Sequence, residues 1–259
     1  MSQQTATTTM PDVDLDADVP RRLSSPFTEW AEYFEKNLER HARLDATIPW
    51  QSTTPLSAFD AAAIARSLQR FELGERGEGT SLRAKARLLD DPVYDATLSL
   101  FVAEEQKHSA LFGRALERFG VHPLGAHWSD AAFVRLRRLL GLRTEIMLFL
   151  IAETVALEYF FALERSDDPV IRGVARRVLT DEVEHIRFQV AQLQLFFAGA
   201  TTGARMLAAA ASWIVAVGAA TVIALDHGPA LRIGGIGPVR FWGKGLRHFR
   251  RALRSALAP

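Results

Sequence analysis

Apolar residues recur every three or four positions along most of this chain, the spacing that lines one face of an α-helix. From Pro26 onward Trp30, Tyr33, Phe34 and Leu38 keep that period, which predicts an amphipathic helix ending before Ile48-Pro49-Trp50. Glycine and proline divide the remainder into long helical stretches, roughly 57–90, 92–119, 131–165, 169–198 and 203–225. No period-two alternation competes with them. Links as short as Asp90-Asp91-Pro92 make successive helices antiparallel neighbours, so the expectation is an all-α, up-and-down bundle with additional N- and C-terminal helices. Residues 1–25, rich in Ser, Thr, Gln, Asp and Pro, read as a disordered lead-in; 26–226 form the helical domain and 227–259 a basic tail.

A repeat lies inside the pattern. Asp90-Asp91-Pro92-Val93 is followed after ten residues by Glu104-Glu105-Gln106-Lys107-His108, and Asp167-Asp168-Pro169-Val170 after the same ten by Asp181-Glu182-Val183-Glu184-His185. Each unit reads as a turn, a proline at the first helical position, three helical turns and then an acidic residue before Glu-x-x-His. The offset between the units is 77 residues. Glu-x-x-His places a carboxylate and an imidazole on one helix face about one turn apart, the O and N donor mix that suits a hard or borderline divalent cation.

Mirroring each motif through its antiparallel hairpin asks what stands opposite. For Glu182 it is Glu153, set in the almost wholly apolar run 146–157. An unpaired carboxylate there would cost several kcal/mol, so it is expected to be protonated, paired or on a metal. For Glu105 the corresponding segment is Phe71-Glu72-Leu73-Gly74-Glu75-Arg76-Gly77-Glu78-Gly79, where Glu75 fits best and Glu72 and Glu78 lie one turn to either side. Glycine is costly in a helix interior, so this segment is expected to bulge or to allow a close approach.

One Glu, a Glu-x-x-His, one Glu and a second Glu-x-x-His on four helices resemble the ferritin-like di-iron carboxylate superfamily, over roughly residues 57–198. The resemblance implies two metal ions, either two irons or manganese with iron, held by Glu75, Glu105, His108, Glu153, Glu182 and His185. It further implies O2 activation with an external electron donor and oxidation or oxygenation of a small organic substrate. Glu104 and Asp181 would accept hydrogen bonds from the ligating His of the opposite motif. Some N-oxygenases of this superfamily carry an extra His one turn before the second motif, where this chain has Val178. The same ligands would also serve an iron-handling protein without organic substrate. A large hollow oligomer suits that alternative, whereas a monomer or homodimer suits the enzyme.

Composition narrows the chemistry. The chain of 259 residues has no cysteine, so any metal must be held by His, Asp and Glu, and disulfides and iron–sulfur clusters are excluded. A net charge of +1 gives no case for a nucleic-acid partner. No basic-then-apolar signal pattern opens the chain, so a cytoplasmic location is expected. Phe101, Phe112, Phe149 and Phe188 are expected near the site, as core or as pocket walls. His41, His122 and His127 lack partners at metal spacing and read as surface or loop residues, and Glu158 points to a different helix face from Glu153. Residues 206–225 carry no charge, long enough for a membrane span but Ala-rich, and read as a fifth helix on the bundle. The tail interleaves Arg232, Arg240, Lys244, Arg247, Arg250, Arg251 and Arg254 with Phe241, Trp242, Leu246, Phe249 and Leu253. Such a helix suits an anionic membrane surface or an acidic partner, which leaves open a membrane-surface enzyme acting on a lipid or quinone.

Overall fold

The structure is a computed structural model describing residues 25–258, so the acidic lead-in at 1–24 lies outside the described residues. Its helices are α1 (Thr28–Asp45), α2 (Ala58–Glu75), α3 (Thr80–Ala86), α4 (Pro92–Arg118), α5 (Trp128–Leu139), α6 (Leu142–Leu163), α7 (Pro169–Phe196), α8 (Thr202–Asp226), α9 (Gly228–Ile233) and α10 (Pro238–Ala256). Among the described residues there is no strand. The long helices pair as α2 with α4 and α6 with α7, and α4 meets α7 across the centre of the bundle. The repeated turns do what their residues dictate. Asp91 caps α4 by accepting from the Tyr94 amide at 3.0 Å, and Asp168 caps α7 by accepting from Val170 and Ile171 at 2.9 and 3.1 Å.

Two stretches expected to be continuous are broken. The 57–90 stretch ends its first helix at Glu75, and a short helix restarts only after Gly79, held at φ +62°. That left-handed backbone, together with a neighbouring Val102 side chain that a Cβ would meet at 2.5 Å, makes glycine the fitting residue. The 131–165 stretch breaks at extended Leu140, so α5 and α6 are separate helices. Their environments differ in kind. α6 is buried on nearly every face, while α5 has no fully buried residue and lies over the bundle's side. Burial on all faces explains why α6 reads as continuously apolar rather than amphipathic.

The C-terminal helices pack onto this frame. α10 turns Phe241, Leu246, Phe249 and Leu253 inward against α6, α7 and α8, so its apolar face is taken up by the bundle and its arginines face outward. Lys244 donates to Glu158 at 2.6 Å and His248 lies 3.3 Å from the same carboxylate, which explains a buried Glu158 that takes no part in the Glu153 face. α8 meets α6 and α10 through a stripe of small residues, Ser212, Ala216, Ala220 and Ala224. Both α6 and α8 are long and apolar enough to cross a membrane; the apolar window of α6 is 83% buried and that of α8 only 17%. A polar chain ties α2, α6 and the α8–α9 junction together. Tyr159 and His227 each lie 2.6 Å from Ser67 Oγ, all three buried. Burial, aided by the Arg70 charge, pulls His227 down to about 3, so its imidazole is neutral and shares a hydrogen bond with Ser67 Oγ through Nδ1.

Asp168 combines the α7 cap with a 2.8 Å ion pair to Arg118 and is fully buried. Burial alone would raise its carboxyl, but hydrogen bonds from Thr54, Arg118 and the Ile171 amide outweigh it and hold it below the ordinary carboxylate range. A folded-state value below the unfolded one gives stability that is present at neutral pH and lost as pH falls through the folded value. Asp168→Ala is expected to cost about 2 kcal/mol or more at neutral pH by urea unfolding. The gap to wild type is expected to narrow below about pH 4.

Candidate metal centre

The two Glu-x-x-His motifs meet at the α4–α7 interface. Glu105, His108, Glu182 and His185 each offer an atom within 4.8 Å of the others, and all four side chains are buried. The imidazoles are held from behind, each by the acidic residue that precedes the opposite motif. His108 Nε2 lies 2.9 Å from Asp181 Oδ2, and His185 Nε2 lies 2.9 Å from Glu104 Oε2. A carboxylate only accepts, so each Nε2 carries the proton and donates it. In the neutral ring Nδ1 is therefore a free lone pair. Those lone pairs face oxygen: His185 Nδ1 is 2.7 Å from Glu105 Oε1, and His108 Nδ1 is 3.4 Å from Glu182 Oε1.

Burial without partners marks the inner side of this cluster. Glu105 Oε1, His108 Nδ1, Glu153 Oε2, Glu182 Oε2 and His185 Nδ1 are all buried and lack a hydrogen-bond partner. Five such atoms around one point carry a penalty that a cation removes, because each is a donor of the kind a divalent ion accepts. Protonation states tell the same story. Burial and the charge of Glu105 push Glu75 well above the usual carboxylate range, and burial and the charge of Glu182 do the same to Glu153. Burial opposes the imidazolium of His108, but its bond to Asp181 and the nearby carboxylates of Glu182 and Glu105 prevail and lift it to about 9. Without a cation the cluster balances its carboxylates with protons on these groups; a metal ion displaces such protons.

The expected residues divide as follows. Glu75, at the end of α2, shares a hydrogen bond with Glu105 and feels both Glu182 and Glu153. Glu72 turns away, accepting from Arg76 and from Ser109, and Glu78 is exposed, so of the three only Glu75 reaches the cluster. Glu153, 6% exposed, accepts from Gln189 through one oxygen and leaves the other unpartnered. Phe101 packs edge-on to His185 at 4.8 Å, and Phe149 lines the adjoining cavity. Phe112 and Phe188 serve instead in core stacks with Phe160 and Trp30. Val178 is buried apolar core.

His41 corrects the sequence expectation of a surface or loop residue. It is 1% exposed, with Nε2 3.0 Å from Asp181 Oδ1 and 3.6 Å from Glu104 Oε1. Asn37 of the same helix donates to Glu104 at 3.0 Å, and Arg177 pairs with Asp181 while donating to Asp45 at 2.8 Å. His41, Glu104 and Asp181 thereby form a second buried group behind the first. A signal for it existed: Trp30, Phe34, Asn37 and His41 form one stripe at helical spacing on α1. His122 and His127 lie in and at the end of the loop before α5, as expected.

Comparison of the chain with protein-family models, with curated proteins and with solved structures finds no match.

Removing an outer carboxylate tests whether this arrangement holds metal. Glu104→Ala leaves His185 in place but without its orienting acceptor, and metal affinity measured by chelator competition is expected to fall about 10- to 100-fold. Unchanged affinity would show that the His185 tautomer does not matter to binding.

Proposed function

We propose that this chain is a ferritin-like di-iron or manganese–iron oxidoreductase that uses O2 to oxidise or oxygenate a small, partly apolar organic substrate. The single observation that carries the reading is the crossed pair of imidazoles, each fixed through Nε2 so that Nδ1 faces a buried carboxylate of the opposite motif. Glu75, Glu105, His108, Glu153, Glu182 and His185 would hold the two ions, with four carboxylates balancing four positive charges. When bound, the ions supply O2 reduction and the oxidising equivalents, with electrons from an external donor. The protein's own part is orientation and exclusion. Glu104 and Asp181 keep both imidazoles in one tautomer, and Asn37, His41 and Arg177 hold those acids in place. Phe101 and Phe149 shield the cluster from water.

An organic substrate is favoured over iron handling because an apolar cavity adjoins the cluster, with Phe71, Phe149 and Phe160 in its wall. A membrane-surface form of the same enzyme draws on a further observation. The outer face of α8 exposes Met206, Leu207, Ile214, Val217 and Leu225, and the outward arginines of α10 lie beside it.

Purified protein loaded anaerobically with Fe(II) is expected to bind about two ions per chain and to consume O2 faster than free Fe(II). His108→Ala is expected to abolish both, and O2 uptake equal in the two proteins would overturn the reading. Iron accumulating far beyond two per chain would favour the iron-handling alternative. For the membrane-surface form, the full chain is expected to sediment with anionic phosphatidylserine vesicles and less with phosphatidylcholine vesicles. Ile214→Ser should weaken that binding, and equal recovery in the supernatant with both lipids would reject it.

A further inference from the structure

The cavity that opens onto the carboxylate cluster encloses about 190 Å³. Its floor is Glu75, Glu105, Glu153 and Glu182, and its roof is α5, which contributes Asp130, Phe133 and Arg137 from one helical face. Two cations border it, and they differ. Arg70 is committed: its Nη1 donates to the Arg66 carbonyl at 3.0 Å, and its Nε faces His127 at 3.4 Å and Asp226 at 3.8 Å. Arg137 is not. Its guanidinium carbon lies 4.7 Å from the centre of the Phe149 ring and 5.0 Å from that of Phe133, two rings set edge to face, which confines its position. Its Nε is buried without a hydrogen-bond partner, and among the described residues it forms no ion pair. Burial works against its charge and lowers its pKa, while Glu145, Asp130, Glu75 and Glu105 favour the charge from a distance.

A buried N–H without an acceptor is a standing cost that a ligand oxygen removes, and a guanidinium held against two rings presents a flat fork suited to a carboxylate. We propose that this cavity binds an amphipathic organic carboxylate, with its anionic group on Arg137 and its apolar body between Phe133, Phe149 and Phe160, pointing toward the cluster. The direction of the body as the reacting end rests on the di-metal reading; recognition of the anion by Arg137 does not. Four carboxylates on the floor, against Arg137 and a single carboxylate, Asp130, at the roof, also favour this orientation, since an anion entering carboxylate-first would meet like charge wherever the floor is not neutralised.

The test is calorimetric titration of the full-length chain, as purified and zinc-loaded, with phenylbutyrate, phenylbutanol and phenylbutylamine, three probes of one shape. Phenylbutyrate is expected to bind about tenfold or more tighter than the alcohol, and the amine weakest. Arg137→Gln should erase the difference between acid and alcohol while leaving alcohol binding unchanged, and Arg137→Lys should restore part of it. Equal affinities in the wild type overturn the proposal without reference to any variant, as does failure of all three to bind. A preference for the acid that survives in Arg137→Gln also overturns it, because the anion would then sit on the metal or on Arg70. Metal content measured on the same samples keeps the two readings apart. A chain that takes no metal yet prefers the acid retains the anion site and loses the di-metal reading, and a metal-loaded chain without the preference does the reverse.

Discussion

Each imidazole at the centre of the bundle is oriented by an acid from the other helix: His108 of α4 by Asp181 of α7, and His185 of α7 by Glu104 of α4. Because these hydrogen bonds run in both directions across one interface, α4 and α7 cannot slide or rotate relative to each other without breaking both. The pairing fixes the register of the two helices at the height where four carboxylates converge. Like charges this close and this buried repel strongly, so the geometry persists only if protons or cations occupy it. The burden falls on the rest of the fold. Arg177 and His41 compensate Asp181, Asn37 satisfies Glu104, and Gln189 holds one oxygen of Glu153.

What was legible in the sequence was whatever follows a helical period or a short-range repeat. The two Asp-capped prolines, the two Glu-x-x-His units and the isolated Glu153 in an apolar run all express local geometry, and the structure brings them together with Glu75. Glu72, Glu75 and Glu78 could not be separated by spacing, because the choice depends on Arg76 and Ser109 drawing Glu72 aside. His41 was misread because its partners stand on α4 and α7, at sequence distances no local pattern reports. The break at Gly79 falls in the glycine-rich segment expected to bulge or to allow a close approach, although helix was expected to run on to Asp90. At Leu140 apolar residues continue through Leu139, Leu140 and Leu142, and only backbone conformation and the contrast between buried α6 and exposed α5 distinguish the segments.

The basic tail illustrates how one pattern serves two ends. Its interleaved aromatics are those of a surface-seeking helix, but α6, α7 and α8 supply the apolar partner that a membrane would otherwise provide. The net charge of +1 thus averages a carboxylate-lined interior against an arginine-rich exterior. Of the two, α8 leaves more apolar surface without cover, with Met206, Leu207, Ile214, Val217 and Leu225 exposed against Val239 and Trp242 on α10.

The position of α1 has a consequence for how the molecule assembles. This helix contributes no atom to the inner cluster, yet Asn37 and His41 close the far side of Glu104 and Asp181. With α1 undocked, both acids would be open to water and their grip on the imidazoles would loosen. Binding of a cation at the centre and attachment of the first helix would therefore be linked equilibria: whatever tightened one would tighten the other by the same free energy. A segment that could be taken for an N-terminal appendage thus acts as the clasp behind both acids.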